Sequence, residues 1–446
     1  MEERIVEIEK MAFGGAGFGH LEGKACFVPF TAPGDVAKIR LKVVKRSYLE
    51  GELLDLLEPS KRRATPPCPV FGSCGGCNWQ HLPYSDQLRA KEEIFAEILW
   101  RSGRVERNLI EEIAPAPEPF GYRSRIQLKL RFIAGELHMG FYRAGSHFVV
   151  DLPGRCAIAH PRINGVIGEL KRLLPLSPEA DKIPHIDAAV GGDGALELVI
   201  HYIGGNREEL ARFFRANRLS LGADGIFLQT GRKTTLEEIG EGDFHALTYM
   251  VPDPSSPGSP GYRLSFSNGG FSQVNFTQNL FLIETVCAWA GLTGSERVLD
   301  IYCGNGNFSL PLSGNAAYLL GVEDYGPSIA SAVENCEANG VKNATFECCD
   351  ALSAIDRFVS RDETFDLVLL DPPRTGAREV VAKIPALGPR SIIYVSCDPA
   401  TLARDIGILK KSGYEVDKIR PVDMFPQTYH VESVTLLKRA GKIGQI

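Results

Sequence analysis

No stretch of the 446-residue sequence approaches the roughly 20 consecutive apolar residues that a membrane-spanning helix requires. The first residues, MEERIVEIEK, are acidic and lack the apolar core of a secretory signal. Both absences predict a cytoplasmic protein without a membrane segment. Positive charge is not in excess either, because the formal net charge is −6. Any surface that binds nucleic acid must therefore be local.

Internal repeats and low-complexity tracts are also absent, and 44% hydrophobic with 23% charged residues is typical of a globular protein. A chain of this length is expected to form about two to four domains. Shifts in pattern predict domains at 1–58, 59–265 and 266–446. In a cytoplasmic chain, the eleven cysteines favour catalytic, metal-bound or buried thiols over disulfides.

Residues 1–58 have the pattern of a small β unit. Three short apolar runs, separated by the turn sequences GGAGFGH and TAPGD, span residues 5–8, 26–30 and 36–44. Basic and apolar residues alternate from Lys38 to Lys42, and Lys45 and Arg46 follow. This stripe is either a solvated strand face or the surface of a small barrel that contacts an RNA backbone, and both interpretations stay open.

Three cysteines stand close together after the proline-containing linker 59–67. Cys68, Cys74 and Cys77 have the spacing C-x5-C-x2-C, and the glycines between the last two let both sulfurs face one centre. Cys156, in the loop sequence LPGRCAIAHP, is the best candidate for a fourth ligand. Four thiolates fit an iron–sulfur cluster or zinc. Because zinc sites usually supply two C-x2-C pairs, the cluster is favoured, with free thiols as the remaining alternative.

Residues 59–265 mix helices and strands. Apolar periodicity predicts a helix over 85–102 with Ser85 as its N-cap. The alternating run 122–132 carries four cations on one strand face: Arg123, Arg125, Lys129 and Arg131. This is more positive charge than a solvated strand usually carries, so we expect the face to contact nucleic acid.

From about residue 267 the pattern becomes α/β. Five apolar runs predict strands at 297–301, 318–322, 344–348, 365–370 and 392–395. Helical patterns at about 277–291 and 328–339 alternate with them. This alternation predicts a doubly wound parallel sheet, in which ligands bind at the carboxyl ends of the strands.

The first of these strands leads into a glycine turn, Gly304-x-Gly306, which opens a helix. Glu323 closes the second strand, where its carboxylate can accept both hydroxyls of a ribose. Ser309 replaces the third glycine of the dinucleotide fingerprint, so no pyrophosphate need be held. The pattern therefore favours S-adenosylmethionine over NAD.

Asp350 follows the third strand, at a position from which it can hold the adenine amino group. The two residues at the end of that strand, Cys348 and Cys349, are predicted to be core residues. Neither cysteine is given a chemical role.

A cysteine ends the fifth strand. Cys397, in SIIYVSCDPATLARD, precedes a proline that stops the strand at the ligand-binding edge. Taken alone, a cysteine at this position is ordinarily a core residue, and Glu432 is ordinarily a surface charge at a strand edge. Together with Asp371–Arg374 (DPPR), which stands upstream at the end of its own apolar run, Cys397 and the downstream Glu432 indicate covalent catalysis. A thiolate that adds to carbon 6 of uracil activates carbon 5 toward a sulfonium methyl, and a carboxylate then removes the carbon-5 proton.

These motifs resemble RNA (uracil-5-)-methyltransferases with an N-terminal TRAM domain, above all those that act on 23S ribosomal RNA. The resemblance covers nearly the whole chain, in FVPFTAPGD, CGGCNWQHLPYSDQ, FSQVNFTQN, DIYCGNGNF, DPPRTG, SCDPATLARD and FPQTYHVESV. It implies a small TRAM (OB-like) β-barrel, a central α+β iron–sulfur domain and a C-terminal Rossmann-like methyltransferase domain. It also implies that the helix at 85–103 packs on the catalytic domain, and we expect a monomer.

The resemblance implies a role for individual residues. Cys397 is the nucleophile and Glu432 the general base. Positions for S-adenosylmethionine and the active site are Gln273, Tyr302, Asn307, Glu323, Asp350 and Asp371. Ligands of a 4Fe–4S cluster are Cys68, Cys74, Cys77 and Cys156. Tyr302 and Asp350 stand where Phe and Asn can occur in the family. Tyr302 keeps the aromatic ring, and Asp350 keeps a polar side chain that can hydrogen-bond to the adenine.

Three other functions compete with this one. Methylthiotransferases combine a TRAM domain with an iron–sulfur cluster, but they use C-x3-C-x2-C. RNA cytosine-5 methyltransferases place a Pro-Cys motif where Pro373 and Arg374 stand. A non-catalytic RNA-binding module does not account for Cys397 with Glu432. Ribosomal and transfer RNA both remain possible substrates.

Overall fold

The structure is a computed structural model that describes residues 2–231, 235–239, 244, 246–256, 258–266 and 272–440. Phe271 of the FSQVNFTQN segment, Pro257 of the predicted break and the C-terminal residues 441–446 lie outside the described residues. Across the described ranges, no helix has the length and apolar character needed to cross a membrane. Three large sheets and one two-stranded sheet organise this part of the chain.

The first sheet is a small barrel with strands in the order β1-β5-β6-β4-β3-β2. The strands are β1 (Glu3–Glu7), β2 (Lys10–Met11), β3 (Gly17–Leu21), β4 (Lys24–Val28), β5 (Val36–Val44) and β6 (Tyr48–Glu58). The Glu9 amide donates to the Phe18 carbonyl at 2.8 Å, which closes the sheet around a small apolar core. The predicted small β-barrel is confirmed.

The basic stripe of β5 is paired with carboxylates of the neighbouring strands. Lys38 Nζ lies 2.7 Å from Glu3 Oε2 on β1, and Lys42 Nζ lies 2.9 Å from Glu52 Oε2 on β6. Arg40 also reaches Glu52, at 3.5 Å. Exposed pairs of this kind contribute little stability, but they neutralise the stripe. The contacts favour the solvated-face interpretation for these three cations.

The second sheet has the strand order β13-β12-β11-β10-β7-β8-β9. Its strands are β7 (Arg125–Ile133), β8 (Glu136–Tyr142), β9 (Val149–Asp151), β10 (His185–Val190), β11 (Leu196–His201), β12 (Gly225–Gln229) and β13 (Leu236–Glu238). Helices α2 (Pro161–Leu173) and α3 (Arg207–Leu221) contribute to the same apolar core. The alternation predicted for β7 is confirmed, because Ile126, Leu128 and Leu130 are buried in that core.

Helix α1 (Tyr84–Ile98) precedes the second sheet in the chain but packs on the third. A π-helical turn, Leu99–Gly103, continues it. Phe95 and Leu99 are buried in the core of the third sheet. The prediction that Ser85 caps the helix is wrong, because Pro83 occupies the N-cap position and no side chain caps the first turn. Proline favours the start of a helix, since its missing N–H and fixed φ cost nothing there.

The third sheet has the order β18-β17-β16-β19-β20-β22-β21. Its strands are β16 (Arg297–Ile301), β17 (Tyr318–Glu323), β18 (Ala344–Cys348), β19 (Leu367–Leu370), β20 (Ser391–Ser396), β21 (Tyr414–Val422) and β22 (Glu432–Arg439). Its helices are α4 (Phe276–Ala290), α5 (Ser309–Ser313), α6 (Gly326–Ala338), α7 (Ala351–Ser360), α8 (Arg378–Lys383) and α9 (Pro399–Lys411). Strands β16 to β20 are parallel, and β22 runs antiparallel to both neighbours. The predicted doubly wound sheet is confirmed, with its order reversing at β16.

The two-stranded sheet pairs β14 (Leu247–Val251) with β15 (Tyr262–Phe266). Leu247, Tyr249 and Leu264 are buried in a core shared with α4 and the third sheet. By its packing, this ribbon belongs with the third sheet. In the chain, however, β14 precedes the predicted boundary at residue 265, and β15 crosses it.

Candidate active site

A cavity of about 360 Å³ opens beside the carboxyl ends of β16, β17 and β18. Three of the predicted cofactor residues line it: Tyr302, Glu323 and Asp350. Residues 375–380, which form the loop after Asp371 and the start of α8, make another wall, and Val322 and Leu352 add apolar surface. Open α/β sheets bind ligands where the strand order reverses, and this cavity lies there.

The chain leaves β16 through a conformation that L-residues rarely adopt. Tyr302 has φ 68°, and its amide donates to the Val322 carbonyl at 2.8 Å. A bulky residue with positive φ is strained, and such strain is typical of functional sites. The turn brings the Gly304 amide within 3.3 Å of Glu323 Oε2. The Tyr325 amide donates to Glu323 Oε1 at 3.1 Å, so backbone amides orient both carboxylate oxygens.

Two carboxyl groups lie behind this turn: Asp300, which is fully buried, and Asp371, which is half-buried. Burial, with the Asp371 and Glu323 charges, raises the pKa of Asp300 to about 7. Asp300 Oδ2 accepts from the Ser309 hydroxyl at 2.5 Å, whereas Oδ1 has no partner. Burial and the Glu323 charge likewise raise the pKa of Asp371 to about 7. Concentrated carboxyl groups with an unsatisfied oxygen fit a ligand that carries positive charge, as the sulfonium of S-adenosylmethionine does.

Asn307 belongs to an amide network that sequence patterns did not indicate. Asn307 and Asn279 exchange two hydrogen bonds, at 2.8 and 2.9 Å. The Tyr249 hydroxyl donates to Asn307 Oδ1 at 3.0 Å, and Asn305 Nδ2 donates to that hydroxyl at 3.2 Å. Helix α4 and the β14–β15 ribbon therefore fix the glycine turn. Tyr249 lies in none of the recognisable motifs, so only the polar GNGN sequence could have signalled this network.

Two of the predicted residues, Asp350 and Gln273, are less enclosed, and Gln273 does not line the cavity. Asp350 caps α7, with its Oδ1 accepting from the Ser353 amide at 3.0 Å, and this hydrogen bonding lowers its pKa. Gln273 is half-buried in the segment before α4. The prediction of two core cysteines is wrong: Cys348 is exposed, and Cys349 lines the cavity. Strand β18 is the edge strand, so its last residues have no neighbouring strand to cover them.

Cys397 and Glu432 meet across the pairing of β20 with β22. Ser396 pairs with Ser433, and continuing this antiparallel register by one residue brings Cys397 opposite Glu432. Burial first, then the Glu432 and Asp371 charges, raises the pKa of Cys397 to about 12, and Arg374 opposes this. Glu432 is only 4% exposed, and burial raises its pKa well above the usual value. The surface-charge interpretation of Glu432 is therefore wrong.

Asp405, the last residue of SCDPATLARD, holds the loop that follows Asp371. Its carboxylate accepts from the Ala377 amide, the Tyr394 hydroxyl and Arg404 Nε, each at 2.8 Å. Gly376 has φ 71°, and a Cβ there would lie 2.5 Å from an Arg404 nitrogen. Only glycine allows this close approach. The wall of the cofactor cavity is thus fixed to helix α9, which begins just after Cys397.

The segment 423–431, which leads into Glu432, is held by α1. Gln87 and Gln427 exchange two hydrogen bonds of 3.0 Å, and Gln427 has φ 69°. Lys91 Nζ lies 2.5 Å from Asp423 Oδ1, and neither side chain is exposed. Contacts between residues more than 300 positions apart leave no local pattern, and sequence reasoning missed both pairs.

A second cavity, of about 320 Å³, is lined by all four predicted ligand cysteines: Cys68, Cys74, Cys77 and Cys156. Burial, with a smaller effect of the neighbouring thiols, raises the pKa of Cys74 to about 11 and of Cys77 to about 12. Asn164 fixes the loop of Cys156 through the backbone amide and carbonyl of that residue.

Within the described part of the chain, no three His, Cys, Asp or Glu side chains converge on a position that could hold one metal ion. This does not conflict with the cysteine cavity, because each thiolate of a four-iron cluster binds a different iron. Four thiols lining a cavity fit a cluster better than a single zinc ion, which needs four ligands around one point. The cluster stays a prediction.

Comparisons with known proteins identify the family of the chain. The TRAM domain profile matches residues 2–54, and the profile described as tRNA (uracil-5-)-methyltransferase matches residues 260–440. An uncharacterized RNA methyltransferase of Thermosynechococcus vestitus is 35% identical, over 97% of this chain and 97% of its own. The 23S rRNA (uracil(1939)-C(5))-methyltransferase RlmD of Alkalilimnicola ehrlichii is 34% identical, over 98% of this chain and 97% of its own.

A solved structure shares the whole fold. The Pyrococcus abyssi tRNA (uracil-54, C5)-methyltransferase, in complex with S-adenosyl-L-homocysteine, aligns with a TM-score of 0.73 and 27% identity. The alignment covers 97% of this chain and 99% of that one. With relatives above 30% identity along nearly the full length, the predicted family is confirmed: the chain belongs to the TRAM-domain-containing, S-adenosylmethionine-dependent RNA (uracil-5-)-methyltransferases.

Proposed function

We propose that the chain methylates carbon 5 of one uridine in 23S ribosomal RNA, with Cys397 as nucleophile and Glu432 as general base. The observation that carries the chemistry is the placement of Cys397 and Glu432 at adjoining ends of β20 and β22, where the Glu432 charge acts on the Cys397 thiol. Ribosomal RNA is favoured over transfer RNA because the full-length RlmD relative is 34% identical, against 27% for the tRNA enzyme. Mapping 5-methyluridine in RNA from a strain that lacks the gene tests the substrate.

The reaction follows from the two side chains. The Cys397 thiolate forms a bond to carbon 6, and the electrons of the 5,6 double bond move toward carbon 5 and the carbonyl oxygen at carbon 4. S-adenosylmethionine, when bound, supplies an electrophilic methyl group that carbon 5 takes. Glu432 then removes the carbon-5 proton, the double bond re-forms, and the carbon–sulfur bond breaks to release Cys397.

The raised pKa of Cys397, about 12, predicts a thiol that is unreactive in the free protein. Only thiolate is alkylated, and its fraction rises about tenfold per pH unit below the pKa. Iodoacetamide labelling of Cys397, followed by peptide mass spectrometry, should therefore accelerate about tenfold per unit from pH 7 to 9. The exposed Cys348 controls for reagent consumption. A rate that levels off near pH 8 would contradict the prediction.

Glu323 is proposed to hold the ribose of S-adenosylmethionine, since its oriented carboxylate lines the cavity. Glu323→Gln should weaken S-adenosylmethionine binding roughly 10- to 100-fold, the loss expected for hydrogen bonds to a charged group. Calorimetric titration without RNA measures this. Glu337→Gln, at an exposed position of α6, is the matched control and should bind normally. Equal affinities of the two variants would refute the role of Glu323.

The cysteine cavity is proposed to hold a 4Fe–4S cluster, which fits four thiols that line one space. Anaerobically purified protein should be brown and contain about four irons per chain. Cys74→Ala should lose the iron, whereas Cys336→Ala, which removes a buried thiol of the third-sheet core, should keep it. Stoichiometric zinc without iron would exclude the cluster. Methyl transfer needs no electron, so the cluster's role is to hold the fold or position RNA.

The remaining proposals concern organisation. We assign the ranges 1–58, 59–265 and 266–446 to TRAM, central and catalytic domains of a monomer that acts in the cytoplasm, with helix α1 and the β14–β15 ribbon of the central range packed on the catalytic domain. The basic face of β7 is proposed to contact RNA, because Arg123 and Lys129 border the cysteine cavity. Asp187 lies 4.0 Å from Arg125 and offsets part of that charge. Salt dependence of RNA binding should fall when Lys129 is reversed to Glu.

A further inference from the structure

Three rings from two distant parts of the chain pack in a row. The Phe13 ring, on the barrel loop after β2, packs edge-on against Tyr429, with centroids 5.6 Å apart. Tyr429 in turn lies against His430, at 4.2 Å and an angle of 36°. Phe13 is 42% exposed, and the other two rings are half-buried. We refer to Phe13, Tyr429 and His430 as the aromatic platform.

The platform stands beside the reacting residues. His430 is two positions before Glu432 in the same segment. The charges of Arg374, which also acts on Cys397, and of Asp398, which follows Cys397 in the chain, act on its imidazole. Burial, and then the Arg374 charge, lowers the pKa of His430 to about 4, so the ring is neutral at physiological pH. A neutral ring stacks on a base without carrying charge into the site.

The barrel loop is held rigidly in this position. Trp79 Nε1 donates to the Gly15 carbonyl at 2.9 Å, and the Ala12 amide donates to the Ala16 carbonyl at 2.8 Å. Gly15 has φ 92°, and a Cβ there would lie 3.0 Å from the Tyr429 ring. Glycine is thus required for the contact between the barrel and the catalytic segment. Phe13 is therefore held against Tyr429 without needing to move.

We propose that the aromatic platform binds the base next to the target uridine by stacking. The proposal rests on the function proposed above, in which the uridine must leave its neighbours to reach Cys397. Extruding a base removes the stacking partner of the adjacent nucleotide, and protein rings commonly replace it. The occupant is therefore single-stranded RNA. Its next nucleotides follow a cavity of about 560 Å³ on the barrel, which Phe13, Phe27, Phe30 and Tyr48 line.

The test uses Phe13, which is exposed and can be changed without opening a core. Phe13→Leu keeps apolar bulk but removes the ring, whereas Phe13→Trp keeps a stacking surface. Loss of one base–aromatic stack should raise KM for a short RNA around the mapped uridine by about 5- to 100-fold, with kcat little changed. Phe13→Trp should restore KM. Leu57→Ala, at a barrel position 46% exposed, is the matched control and should leave KM unchanged.

A second measurement reports the stack directly. The fluorescent base 2-aminopurine, placed on the 5′ or the 3′ side of the target uridine, should be quenched on binding to the wild type. The same probe should stay bright with Phe13→Leu. Equal KM values and equal quenching for wild type and Phe13→Leu would refute the platform while leaving the methylation intact. Failure of the wild type to form any 5-methyluridine would instead refute the proposed function.

Discussion

Glu432→Gln is expected to stop the enzyme while it is covalently bonded to methylated RNA. Cys397 can still add to carbon 6 and carbon 5 can still take the methyl group, but no carboxylate removes the carbon-5 proton. The amide keeps the shape of the buried side chain, which is only 4% exposed. Turnover should fall about 10²- to 10⁴-fold, the usual contribution of a general base. A denaturing gel with labelled RNA should show a slow protein–RNA band that depends on S-adenosylmethionine.

Two comparison variants make this result interpretable. Cys397→Ala, alone or combined with Glu432→Gln, should give neither product nor band, because carbon 5 is never activated. Glu415→Gln, at an exposed position of the adjacent strand β21, should turn over normally. Free methylated RNA produced by Glu432→Gln at the wild-type rate would show that another group is the base. Asp371, whose charge also reaches Cys397, would then be the next candidate.

The elements of the third sheet could be predicted because its central strands are buried on both faces. Such strands appear in the sequence as unbroken apolar runs, and Ile392–Val395 lies inside β20 as expected. The reactive residues stand at or just after the ends of those runs. Predicting where three strands end therefore also located Glu323, Asp371 and Cys397. The prediction that Cys348 is a core residue was wrong because β18 is the edge strand of the sheet. Residues at its end can therefore face solvent, as Cys348 does.

The parts of the site that the sequence did not indicate are contacts between elements. Asn307 depends on Asn279 and Tyr249, and neither residue shows by its local pattern that it faces a glycine turn. Lys91, within the polar helical sequence SDQLRAKEEIF, has the character of a surface residue. Its complete burial follows only from the docking of α1 on the third sheet. Tertiary packing decides such positions, and propensity and periodicity carry no information about it.

Lys91→Met is expected to destabilise the protein by about 3–5 kcal/mol, the cost of leaving one member of a buried ion pair without its partner. Lys91 Nζ lies 2.5 Å from Asp423 Oδ1 and also donates to the Phe425 carbonyl at 3.1 Å. Asp423 Oδ2 has no partner, so no hydrogen bond to that oxygen compensates for the lost cation. Urea unfolding followed by tryptophan fluorescence measures the loss, since Lys91 lies 6.0 Å from the Trp79 ring centre.

An exposed ion pair between α1 and strand β2 separates the effect of burial from that of charge. Lys10 Nζ lies 2.8 Å from Glu97 Oε2, with 46% and 33% of the two side chains exposed. Lys10→Met should therefore cost less than about 1 kcal/mol. Adding Asp423→Asn to Lys91→Met should recover much of the lost stability, because it removes the unpaired charge. Similar losses for Lys10→Met and Lys91→Met, or no recovery in the double variant, would contradict this account. Because segment 423–431 positions Tyr429 and Glu432, Lys91→Met should also lower kcat at temperatures where the chain is still folded.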